Sequence, residues 1–120
     1  MKRLFCSLLL ILCVKAISHS QTVSDKPISE IDVEYIEVIP DVYSSFKTKH
    51  ILLIDYGQGF NRTFRKDCVL KDEKGEAMLF NSPMHAVNYI CQFGYEVINV
   101  IKRESDLDGD RYLLKRVKKQ

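Results

Sequence analysis

The chain has 120 residues, which allows one domain and no more. Its 18 Lys and Arg stand against 16 Asp and Glu. That near balance leaves no electrostatic footprint for nucleic acid, so no nucleic-acid partner is expected.

Residues 1–20 have the order of a secretory signal peptide. Lys2 and Arg3 precede the apolar run Leu4–Val14, and small residues follow at Ala16, Ser18 and Ser20. As a helix the run reaches about 16 Å, short of a bilayer core of about 30 Å. Cleavage after Ser18 or after Ser20 satisfies the small-residue rule, and the second leaves Gln21 first. Two alternatives stay open: an uncleaved anchor, because Lys15 interrupts the pattern, and acylation at Cys13, although Leu12 before it is not small. Cleavage removes Lys2, Arg3 and Lys15, leaving fifteen basic against sixteen acidic residues and a net charge of −1. The expected product is exported, periplasmic or extracellular, with no membrane span once the signal is gone.

Residues 21–30 are polar, carry Pro27 and read as a flexible leader, so the domain is expected over 31–120. Ile31–Ile39 alternates as a first strand; its apolar phase slips at Tyr35–Ile36, suggesting a β-bulge, and Pro40 is expected to end it. Asp41–Thr48 reads as a loop. Lys49–Tyr56 is a second strand, and its continuous run Ile51–Ile54 suits one covered on both faces. Gly57-Gln58-Gly59 breaks it. Cys68–Leu70 and Ala77–Phe80 flank a charged connector containing Gly75 and read as a hairpin.

Asn81–Gly94 carries the clearest signals. Ser82 is a good N-cap, Pro83 fits the first helical position, and Gly94 suits the left-handed C′ position. Met84, Val87, Ile90 and Cys91 form the expected apolar stripe. Tyr95–Arg103 is rich in β-formers, Asp108-Gly109 is a hairpin-turn signal, and Tyr112–Val117 is the last strand. The predicted order is β-β-β-β-α-β-β: an α+β domain with an antiparallel sheet of about five to six strands and one helix on one face.

Three short segments carry a resemblance: Phe80-Asn81-Ser82, Gly94-Tyr95-Glu96 and Leu113-Leu114-Lys115-Arg116. With Ile54-Asp55-Tyr56-Gly57-Gln58 they make the chain similar to small secreted Bacteroidetes proteins of unknown function. The resemblance implies a fold and an exported compartment. It brings no activity, cofactor or catalytic residue.

The candidate sites are few. Asp106, Asp108 and Asp110 alternate around Gly109 and offer three carboxylates to a calcium-like ion. Their spacing departs from the helix-flanked calcium loop, and a solvated turn wants the same residues for backbone reasons. Tyr43, Phe46, Tyr56 and Phe60 crowd the middle of the chain as a candidate binding face or as caps on an open core. Cys68 and Cys91 are able to form a disulfide in an oxidising compartment, if geometry brings them together. His50 and His85 lack zinc-ligand spacing. Asn61-Arg62-Thr63 matches a glycosylation sequon that a bacterial host gives no use. Lys115, Arg116, Lys118 and Lys119 read as lysine-type guards of an edge strand.

No cofactor motif and no catalytic constellation emerge, so an enzyme is the less favoured expectation. The reading that results is a non-enzymatic binding or interaction module for an unknown protein or envelope partner, with a homodimer through an edge strand also allowed. The alternative is a small hydrolase or inhibitor-like protein with a cleft near His50.

Overall fold

The structure, a computed structural model, describes residues 21–43, 48–59, 65–102 and 109–117. Residues 21–30, expected to be a flexible leader, are folded. Thr22–Val23 (β1) and Lys26–Pro27 (β2) pair antiparallel through Ser24 and Asp25. Both turn residues have positive φ, 51° and 61°. That is the left-handed pair of a type I′ turn, whose twist suits a two-residue hairpin. Ser24 Oγ donates to Asp67 O at 2.6 Å, and Thr22 and Lys71 exchange backbone bonds of 3.1 and 2.9 Å. A 3₁₀ turn follows at Ile28–Glu30. Val23 and Ile28 are buried in the main core. Two isolated apolar residues in a polar run carry no period, so the sequence alone does not announce their burial.

β3 spans Tyr35–Val42, not Ile31–Ile39. Ile31 is buried within an irregular link, so the phase slip at Tyr35–Ile36 marks the start of the strand rather than a bulge. Pro40 lies inside β3 instead of ending it. Leu70 N donates to Leu52 O at 2.8 Å, so Leu52 turns its hydrogen-bonding groups away from β3. Its partner Pro40 therefore sits at a non-hydrogen-bonded position, with its nitrogen toward a flank where pairing has ended at Val38. No ladder bond is lost, and the proline is tolerated. Gly109 passes beside it: a Cβ there would stand 2.5 Å from Pro40 O, which excludes any larger residue without a shift.

β4 (His50–Asp55), β5 (Tyr95–Ile101) and β6 (Arg111–Arg116) complete a four-stranded antiparallel sheet in the order β4-β3-β6-β5. With the β1–β2 pair this makes six strands in two antiparallel sheets among the described residues, an α+β fold. Ile36, Val38, Leu52, Ile54 and Leu114 face the helix and form the main core. Ile39, Leu53 and Val69 form a smaller cluster on the opposite face. The run Ile51–Ile54 is covered on both faces, as its composition predicts.

The segment expected as a hairpin is less regular. Arg65–Cys68 is a helical turn (α1), so Cys68 ends a helix instead of opening a strand. Lys71 bridges Ala77 around a turn in which Asp72 Oδ1 accepts from Lys74 N and Glu76 N at 2.9 and 3.0 Å. The two arms lie along the outer edge of β4, through Leu53–Val69 and His50–Phe80 bridges.

Pro83–Cys91 (α2) starts where the sequence places it. Ser82 Oγ accepts from His85 N at 3.1 Å, and His85 Nδ1 accepts from Asn81 N at 3.1 Å. This reciprocal arrangement satisfies two amides at the helix entrance, in the manner of a capping box. Ser82→Ala is expected to lower stability by about 1 kcal/mol. Thermal unfolding would show a drop of ~4–8 °C, largely restored by Ser82→Thr. At the exit, Gly94 has φ +90° and takes the left-handed position.

The buried face of α2 is Ala86, Val87 and Ile90. Met84, expected in the stripe, is 52% exposed. At ~100° per residue Met84 lies roughly 110° from the centre of that face and Cys91 roughly 90°. Cys91 is accordingly half-buried. Ala86, fully buried, lets the helix approach the sheet closely. Phe80, Tyr89 and Phe93 continue the packing as a ladder of rings with centroids 5.5 and 5.6 Å apart.

Candidate functional site

Of the candidate aromatic residues, the structure describes Tyr43 and Tyr56. Tyr43 and Tyr56 stand at opposite ends of the β3–β4 pair, since Val42 faces His50 and Glu37 faces Asp55. Tyr56 packs against the main core, which is the capping role. Phe46 and Phe60 lie outside the described residues, as do Asp106 and Asp108. Asp110 is half-buried just before β6. Among the described residues no group of three His, Cys, Asp or Glu is placed to hold a metal.

The Cys68–Cys91 disulfide is not formed. Cys68 is buried beside the Gln58 amide (3.8 Å), while Cys91 sits on the flank of α2. Burial pushes the Cys91 thiol up, away from the thiolate that a nucleophile needs. His50 has its backbone paired with Phe80 by bonds of 2.9 and 2.8 Å. The Leu53–Val69 bridge puts Cys68 beside Ile54, at the far end of β4 and on the order of 13 Å along the strand. No Cys–His pair is assembled there.

Gln58 turns the break after β4 into a fixed corner. Its Nε2 donates to Ile54 O at 2.7 Å and its Oε1 accepts from Tyr56 N at 2.8 Å. A hollow of about 380 Å³ beside it is lined by Ser24, Asp67, Cys68 and Lys71. The polar groups of Gln58 and Ser24 serve the loop itself.

Arg116 is not an edge guard, because β6 lies between β3 and β5. Its guanidinium donates to Asp32 Oδ1 at 2.5 Å, to Ile31 O and to Tyr95 Oη at 3.3 Å, and it stacks over the Tyr95 ring at 5.6 Å. The hydrogen bond with Tyr95 and the charge of Asp32 push its pKa up, so it stays a cation. This fork pins the Ile31–Glu34 link to the last strand. Beside it opens a groove of about 820 Å³ lined by Asp32, Val33, Phe93, Gly94 and Val117. Gly94, Tyr95 and Arg116 meet at this corner.

The surface the sequence does not reveal is β5. Among the described residues it is the terminal strand of the sheet order, and every one of its residues after Tyr95 is exposed. Val97, Ile98, Val100 and Ile101 are 40–46% exposed. Their composition predicts a strand. A register shift between Val97 and Asn99 leaves Ile98 as an extra, bulged residue. The doublets Val97-Ile98 and Val100-Ile101 around Asn99 are the trace of that bulge in the sequence. Compared with known protein families, with curated proteins and with solved structures, the chain matches none.

Proposed function

We propose that the chain is an exported, non-enzymatic interaction module of the bacterial periplasm or envelope, and that it docks its partner along β5. The observation that carries this reading is the outer edge of that strand. Among the described residues no strand pairs with it, and four of its aliphatic side chains are exposed. Such an edge is a template for another strand, and folded proteins usually cover or charge it when nothing is to bind. Strand addition supplies affinity through main-chain bonds and specificity through alternate side chains. The leader-like residues 1–20 support export. The placement of the thiols, one beside Gln58 and one in helix packing, supports a structural use for both. Among the described residues no helix is long and apolar enough to cross a membrane.

The test replaces Ile98 by the photoreactive p-benzoylphenylalanine in the full chain expressed in bacteria. Irradiation is expected to give covalent adducts from this position and none from the same probe at Met84, which is exposed on α2. Equal labelling at both positions, or none at Ile98, refutes β5 as the docking edge.

A further inference from the structure

The backbone of β5 restricts what it is able to pair with. Arg116 N donates to Glu34 O and Val117 N to Gly94 O, both at 2.8 Å. Hydrogen bonds from β6 therefore alternate: Arg116, Leu114 and Tyr112 turn to β3, and Lys115, Leu113 and Arg111 turn to β5. Within β5, Glu96, Asn99 and Ile101 are bonded inward. Tyr95, Val97 and Val100 direct their N–H and C=O groups outward; Tyr95 is buried, whereas Val97 and Val100 are exposed.

Because Ile98 is an extra residue, the outward positions are not evenly spaced. The two on exposed residues, Val97 and Val100, fall three residues apart. A regular strand offers bonding groups at every second residue. It matches Val97 or Val100, but not both. A second copy running antiparallel, related by a two-fold axis between Ile98 and Asn99, meets both, bulge against bulge.

The side chains agree with that register. Val97 of each copy falls opposite Val100 of the other, on the face where Leu114 and Tyr112 are their neighbours. The pairing covers valines that are now 40% and 41% exposed. Glu96 falls opposite Ile101 and Lys102 opposite Tyr95, so no like charges oppose each other. The contact is isologous, and it closes after two subunits.

We propose that the partner of β5 is a second copy of this chain, the two four-stranded sheets joining edge to edge into one antiparallel sheet. This rests on the reading of β5 as the docking edge and names its occupant. Light scattering and sedimentation equilibrium on the full chain, between ~1 μM and ~1 mM, the span of ordinary association constants, are expected to show a dimer. Val100→Lys is expected to weaken it at least ~tenfold. Should that variant fail to fold, a cysteine pair decides. Directly opposed, hydrogen-bonded residues have Cα atoms about 5.5 Å apart, within disulfide range. On a Cys91→Ser background, Val97→Cys with Val100→Cys is expected to close into a covalent dimer on mild oxidation, and Val97→Cys alone is not. A wild-type monomer throughout the range, or a dimer that neither Val100→Lys weakens nor the cysteine pair closes, overturns the proposal. A monomer that still forms adducts from Ile98 to another protein removes the self-pairing and keeps the docking edge.

Discussion

Phe80→Ala is expected to lower unfolding stability by about 3–5 kcal/mol, the usual cost of removing a buried phenyl ring. For a domain of this size that is most of the folded state's margin. Phe80 is 2% exposed and joins three parts of the molecule. Its backbone pairs with His50 at the edge of the sheet. Its ring packs edge-on to His85, with centroids 5.3 Å apart, and tilts against Tyr89. It also leads directly into the Asn81-Ser82 helix entrance. Truncation would open a cavity that a sheet edge and a capped helix, both held by hydrogen bonds, are unable to close. Urea unfolding followed by circular dichroism measures the loss, and Phe80→Leu should recover a large part of it. A loss below ~1 kcal/mol would mean that α2 does not dock through this residue.

The second large effect concerns residues 21–30. A chain beginning at Ile31 is expected to lose cooperative unfolding, or more than ~3 kcal/mol of stability, relative to one beginning at Gln21. Val23 and Ile28 are both in the main core, and each buried side chain of this kind contributes ~1.5–3 kcal/mol. The truncation also removes the two Thr22–Lys71 bonds and the Ser24 anchor on Asp67. Buried groups would be left facing water. Val23→Asp in the longer chain isolates the packing part of the effect, because it places an unpaired carboxylate at a fully buried position. Unchanged unfolding of the shorter chain would restore the view of these residues as a dispensable leader.

The two results bear on the interaction surface in different ways. Phe80 and Val23 support the helix-facing core, at a distance in the sheet order from β5. Substitutions on the outer edge of β5 should leave that core intact, since Val97 and Val100 are exposed and belong to neither core cluster. Stability and association are therefore separable. A variant that dissociates without a change in its unfolding transition is the expected behaviour of a docking edge.

Local physics made much of this protein legible in its residues. Ser82, Pro83 and Gly94 bracket α2, because capping, proline at the first turn and a left-handed exit act within a few residues of where they are written. The Ile51–Ile54 run specified a strand covered on both sides. The runs Tyr95–Arg103 and Tyr112–Val117 specified the last two strands, found at Tyr95–Ile101 and Arg111–Arg116, though not their neighbours.

Tertiary structure decided the rest, and in each case a partner far along the chain was the reason. Pro40 continues a strand because β6 ends beside it and Leu52 bonds elsewhere. Val23 and Ile28 are core because a surface built by later residues receives them. Arg116 is a fork rather than a guard because β6 is an inner strand. The β-formers of β5 specify a strand, but among the described residues only the strand order places it last. Sequence fixes the pattern each segment offers to its surroundings; whether an apolar face is dry or wet depends on which segment the fold brings against it, and that information is nowhere local.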